Sequence, residues 1–152
     1  GKSPDKYLTL CRDALPYVDK RTNMVIIEAW NEWGEGSFIE PDKALGFGIV
    51  FRQSNIEGEL VTWIHEARTA ASGIAINAGA YTHTSIALHD ALKAADVPSV
   101  ELHLSNVHKR EAFRHHSFIA PAVNGVICGF GVDSYELAIT ALANIITAKE
   151  KG

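Results

Sequence analysis

The sequence predicts an α/β protein built on an open, doubly wound sheet of five parallel strands in three α/β/α layers. Three observations carry that expectation. Five short, nearly unbroken apolar runs, at 24–27, 49–51, 73–77, 99–104 and 125–129, punctuate the chain. Such runs mark strands buried on both faces, which is the condition of a parallel sheet. Stretches with helical signals separate them, as crossover connections require. Polar residues also collect at the carboxyl ends of the later runs, where crossing helices part and leave a crevice. With 47% of its 152 residues apolar, the chain can bury one sizeable core, so a single domain over 1–152 is expected.

The elements follow in order. Ser3-Pro4-Asp5 places a capping hydroxyl before a proline at the first helical position, predicting a helix to about residue 20 that Pro16 kinks. Leu8, Cys11, Leu15 and Val18 lie along one side of it. After the strand at 24–27 comes a loop at 30–41, with Gly34 and Gly36, then a short turn at 42–45. Ser54-Asn55 is expected to cap a helix over 57–70 whose Leu60, Ile64 and Ala67 recur at helical spacing. The strands at 73–77, 99–104 and 125–129 are each followed by a helix or helical turn, near 84–95, 107–113 and 134–149.

Charge and cysteine usage narrow the function classes. A net charge of −4 with scattered Lys and Arg excludes a phosphate-backbone partner, so no nucleic acid is expected. Cys11 and Cys128 form no CxxC and sit in apolar surroundings, which fits reduced, buried thiols and a cytoplasmic protein. The longest apolar stretch, 125–132, is short and broken by glycines, so no membrane partner is expected.

Six of the seven histidines fall between His83 and His116. They lie among Asn77, Glu101, Ser105, Asn106, Arg110 and Arg114 at the ends of apolar runs, which reads as a polar pocket where chemistry is to be sought. His65, His89 and His108 read instead as surface residues, and the His115-His116 pair as structural or functional alike. Gly129-Phe130-Gly131 could cradle an anion but lacks a full dinucleotide pattern, and turning the chain is its plainer use.

From about residue 52 to 148 the chain resembles type II 3-dehydroquinate dehydratase, a flavodoxin-like enzyme. The resemblance rests on Gln53-Ser-Asn-Ile-Glu-Gly-Glu-Leu, Trp63-Ile-His-Glu-Ala, the Asn77 and His83 segment, Glu101-Leu-His103-Leu-Ser105-Asn106, Arg110-Glu-Ala-Phe-Arg114 and Gly125-Val-Ile-Cys-Gly-Phe-Gly131. It implies dehydration of 3-dehydroquinate through an enolate, with no metal or organic cofactor. It further implies that Asn77 holds a water that stabilises the enolate and that His103 is the general acid, oriented by Glu101. His83, Ser105 with the amide of Asn106, and Arg114 would hold the substrate, with Arg110 at the border. The family forms trimers stacked into dodecamers, so a homo-oligomer is expected, with Asp90 reaching a neighbouring subunit.

The first third departs from that family. Its strand would run into an Asn-rich loop and a lid with an arginine and the catalytic tyrosine. Here residues 20–51 hold no tyrosine, and Arg21 precedes the strand. Instead Met24-Val-Ile-Ile-Glu-Ala-Trp-Asn-Glu-Trp-Gly-Glu-Gly is similar to a segment of glycoside hydrolase family 99-like (βα)8 barrels, over about 1–48. In that resemblance Glu32 and Glu35 are the acids of glycosidic cleavage. A barrel needs about 250 residues, so the segment is a graft. The two resemblances together imply an engineered chimera, a barrel helix and strand replacing the first unit of a dehydroquinase, with Ile26 and Ile27 filling the sheet. Three functions are open to it: a pocket retained with turnover lost, a dehydratase with Glu28, Glu32 or Glu35 as substitute base, or a carbohydrate-binding protein acting through Asn31 to Glu35.

Overall fold

The computed structural model describes residues 23–29 and 48–150. The helix expected over 4–20, the loop at 30–41 with Asn31, Glu32 and Glu35, the turn at 42–45, and Cys11 lie outside the described residues.

Five parallel strands form one sheet: β1 (Asn23–Ala29), β2 (Gly48–Ser54), β3 (Gly73–Asn77), β4 (Ser99–His103) and β5 (Gly125–Cys128). Their order is β2-β1-β3-β4-β5, and every neighbouring pair is parallel. This is the doubly wound order 2-1-3-4-5, whose direction reverses between β1 and β3. The expected flavodoxin-like class is therefore the observed one. β1 and β2 are longer than the apolar runs at 24–27 and 49–51, because seven consecutive residue pairs, Asn23 with Gly48 through Ala29 with Ser54, join them.

Three helices are described: α1 (Glu57–Ala70), α2 (Ile86–Ala95) and α3 (Asp133–Glu150). Alternation along the strands divides the core into two layers. Val25, Ile27, Ile74 and Ile76 face α1 and α2 through Leu60, Ile64, Leu88 and Leu92. Met24, Ile26, Ala75, Val100 and Leu102 face α3 through Tyr135, Ile139, Leu142 and Ile146. Ile26 and Ile27 are fully buried, one in each layer, as the sequence anticipates. Each such isoleucine contributes about 1.5–3 kcal/mol by leaving water. Gly73 lets α3 approach β3 closely, since a methyl group there would lie 3.3 Å from both Leu142 and Ile146.

One local expectation needs correction. α1 begins as expected but is not capped by Ser54-Asn55. Its N-cap is Ile56, and Ser54 sits two residues before it, accepting from the Ile56 amide at 3.0 Å and donating to the Glu59 carboxylate. Ser54 is held there by β2, whose last residue it is, so its hydroxyl reaches the helix side chain instead of the first free amides. Near 107–113, where a helix or helical turn is expected, the chain forms two short 3-10 turns, Val107–Lys109 and Ala112–His115. The Asn106 carboxamide caps the first by accepting from the His108 amide at 3.0 Å. The stretch is too polar to bury a helical face, so it runs as a loop over the carboxyl edge.

Candidate functional site

β4 builds the centre of the site. Val100 and Leu102 pack under α3, so alternation turns Glu101 and His103 to the other face. No helix follows β4 directly, and the loop from residue 104 onward folds back over that face. His103 is 4% exposed and Glu101 fully buried. The His103 Nε2 lies 2.8 Å from the Glu101 carboxylate. Thr82 also donates to that carboxylate, and Ser117 donates to it at 2.9–3.1 Å.

The electrostatics of Glu101 follow from this crowd of donors. Burial pushes its carboxyl up, yet the hydrogen bonds from His103, Thr82 and Ser117, with the His103 charge, outweigh burial and hold it below the usual glutamate value. An ionised carboxylate can only accept, so His103 must carry its hydrogen on Nε2. Its Nδ1 has no partner among the described residues, and His103 lines a cavity of about 140 Å³.

Gly79, Ala80, His83, Ser105, Val107, Arg110 and Arg114 complete that cavity. The 3-10 turn Gly79–His83 after β3 brings His83, whose Nδ1 donates to the His116 carbonyl at 2.8 Å, leaving Nε2 to the cavity. The 3-10 turns after β4 bring Arg110 and Arg114. Arg114 is aligned by Glu111 at 2.9 Å and lies over the Phe113 ring at 5.2 Å. Glu111 is exposed; its own backbone amide, followed by the guanidiniums of Arg114 and Arg110, lowers its carboxyl below the usual range against a small opposing effect of desolvation. Two guanidiniums, two imidazoles and a hydroxyl thus meet with no carboxylate among the lining residues. Such a hollow favours a small anion that also presents hydroxyls.

The structure brings His83, His103, Ser105, Arg110 and Arg114 together around one space. Glu101 supports it from beneath. Asn77 and Asn106 do not line the cavity. Asn77 is fully buried at the end of β3, where its carboxamide accepts from the Gly79 amide at 3.2 Å and donates to the Tyr135 hydroxyl at 3.0 Å. It starts the turn that carries His83. Asp90 is exposed on α2. Gly129-Phe130-Gly131 turns the chain, because the Gly129 and Gly131 amides are spent on the His103 and Leu104 carbonyls at 3.2 and 2.9 Å.

Sequence reasoning did not single out Thr82, Ser117, Ser134 or Tyr135. Ser134 donates to the His103 carbonyl at 3.1 Å, which ties α3 to the end of β4. The available signal was position, since Thr82 and Ser117 each flank a histidine of the cluster. His115 and His116 brace the site without lining it, through the Arg110 carbonyl at 3.2 Å and the contact with His83. His65 and His108 are exposed, and His89 is half-buried, its Nδ1 donating to the Phe118 carbonyl at 2.7 Å. Among the described residues no group of three or more His, Cys, Asp or Glu could hold a metal ion. Nor is any described helix long and apolar enough to cross a membrane. Cys128 is free and half-buried on β5.

Comparison with known proteins agrees with this geometry. The family Dehydroquinase class II matches residues 35–143, beginning before the point near 52 that the sequence motifs mark. A second family, Glycosyltransferase WbsX, matches residues 1–53. The 3-dehydroquinate dehydratase of Rhizobium meliloti is 65% identical over 112 residues, 74% of this chain and 75% of that protein. That of Rhizobium etli is 67% identical over 103 residues, 68% of this chain and 71% of that protein. The crystal structure of the type II dehydroquinase from Propionibacterium acnes superposes with a TM-score of 0.75 at 33% identity, covering 81% of this chain and 98% of that one. The corresponding structure from Butyrivibrio crossotus gives 0.70 at 33% identity, over 82% and 99%. With the sheet, the polar hollow and these relatives in agreement, the chain belongs to the class II dehydroquinase family and is built on a 3-dehydroquinate dehydratase scaffold.

Proposed function

We propose that this chain binds 3-dehydroquinate or a similar hydroxylated carboxylate in the described cavity, and that its dehydration of that ligand is severely impaired. The observation that supports the first half is the convergence of Arg110, Arg114, His83 and Ser105 on one hollow beside a carboxylate-fixed His103. In this reading the guanidiniums take the carboxylate, while His83 and Ser105 meet the ring hydroxyls. His103, as imidazolium, delivers the Nδ1 proton to the departing hydroxyl, and Asn77 and Glu101 fix the elements around it. The second half rests on residues 20–51, which hold no tyrosine to abstract the proton next to the carbonyl. Loss of a positioned base costs about 10²–10⁴-fold in rate.

The amino-terminal segment accounts for that loss. The match of residues 1–53 to a second family, Glycosyltransferase WbsX, supports the reading of the chain as a chimera; the further reading that it is engineered, with β1 drawn from a (βα)8 barrel and the whole folded as one domain, rests on the sequence resemblance. Both architectures gather their loops at the carboxyl ends of parallel strands, so a barrel strand enters this sheet with its loop on the functional edge. The protein is cytoplasmic and self-associates in this reading, and Val126, 48% exposed on the edge strand β5, belongs to the surface so covered.

The test is 3-dehydroshikimate absorbance beside calorimetric binding of 3-dehydroquinate. The expected result is measurable binding with turnover about 10²–10⁴-fold below that of the Rhizobium etli relative. Turnover equal to that relative would sink the impairment, and absent binding would sink the retained pocket.

One observation favours a second reading, a dehydratase with a substitute base. Glu28 is 2% exposed at the end of β1 and lies in register with Asn77 across the β1/β3 reversal. If Glu28 takes the proton, Glu28→Gln abolishes residual turnover and leaves binding intact; unchanged turnover rejects it.

A further inference from the structure

The Glu101 carboxylate is held by two hydroxyls that belong to the two segments carrying the cavity's other polar groups. Thr82 sits beside His83 in the turn after β3, and Ser117 follows Arg114 by three residues. These segments are stitched together directly: the Phe118 amide donates to the Thr82 carbonyl at 2.8 Å, His83 Nδ1 to the His116 carbonyl at 2.8 Å, and the two hydroxyl oxygens stand 3.0 Å apart.

The bonding of Ser117 fixes where its hydrogen goes. Its oxygen accepts from the Ile119 amide at 3.1 Å and the Ala120 amide at 2.9 Å, which occupy both lone pairs. The single hydroxyl hydrogen is left for the Glu101 carboxylate. Thr82 donates to the same carboxylate, which as an anion only accepts, so His103 presents an N–H to it.

We propose that Ser117, assisted by Thr82, is a positioning residue: its hydroxyl orients the Glu101 carboxylate so that His103 stays locked with Nε2–H on Glu101 and Nδ1 toward the cavity. The inference rests on the reading of His103 as the proton donor of this site, and it makes the acid's orientation depend on the segment that brings Arg114. The lowered carboxyl of Glu101 is consistent with this arrangement.

The experiment follows the His103 ring by ¹⁵N NMR in the whole protein, at about pH 8 where imidazoles are neutral. Its signal is assigned with His103→Gln. The unsubstituted protein should show a single Nε2–H tautomer. Ser117→Ala should replace it with an averaged pair of tautomers, and Ser117→Thr should restore it. If Ser117→Ala does not fold, Ser117→Cys, near in shape but a weak donor, is expected to show the same loss. Thr82→Val should produce a partial shift. A folded Ser117→Ala or Ser117→Cys protein that keeps the single tautomer overturns the inference, even if its stability falls, since that outcome leaves Ser117 only a cap for residues 119 and 120. Failure of 3-dehydroquinate to bind would overturn the functional reading instead, and would leave the tautomer comparison standing.

Discussion

Arg114 is aligned within its own turn, where Glu111 accepts from its Nε and the Phe113 ring lies against its guanidinium. Loss of the group is costly, because a charge-assisted pair contributes about 1.5–3 kcal/mol. Arg114→Ala is therefore expected to weaken 3-dehydroquinate binding roughly 10- to 150-fold by calorimetry. Glu101 gives a prediction in pH. Its carboxyl is lowered in the folded protein, so the stability it contributes is fully present above the unfolded value of about 4.3 and is lost as pH falls through the lower folded value. The difference in urea stability between the unsubstituted protein and Glu101→Gln should shrink as pH falls below about 4. A gap independent of pH would show that charge plays no part. His83, His103, Arg110 and Arg114 stood out in the sequence through the clustering of histidines and the family motifs that contain them, and the structure gathers them around one cavity. Thr82 and Ser117 did not stand out, since a hydroxyl in a loop satisfies local backbone as readily as it serves a buried carboxylate.

At the scale of elements, the apolar runs and the Leu60, Ile64, Ala67 spacing placed β1 to β5 and α1, because period and length there point to one answer. Strand ends were less legible. β4 stops at His103 and β5 at Cys128, one residue short of the apolar runs, where Gly129 takes a φ of +94°. That conformation and the approach to Asn106, 3.0 Å from where a methyl group would stand, make Gly129 the hinge between β5 and α3. Gly129→Ala is expected to destabilise the fold by about 1–3 kcal/mol in urea titration and to disturb the loop after β4. Unchanged stability would mean that the turn relaxes. The cap of α1 was misplaced because Ser54 fits a capping pattern in one dimension while β2 holds it in another.

For the whole molecule, reversal of strand order at β1 and β3 brings Glu28 and Asn77 side by side, a pairing that the count of strands in the sequence did not contain. The connection from β4 to β5 has a consequence for local opening. α1 and α2 bury apolar stripes against the sheet, whereas the 3-10 turns at 107–115 bury no residue and are held by side-chain and turn hydrogen bonds. Segments of that kind open at low free energy while core strands open only with the whole fold. Amide hydrogen exchange should therefore be fast over 107–116 and slow over β3 and β4, and a bound anion bridging Arg110, Arg114 and His83 should protect the loop selectively. The groups that grip the ligand would ride on the part of the chain that the ligand itself must order, so affinity here is drawn down by the entropy of closing that loop, and cross-linking or shortening it would raise affinity without adding a single contact.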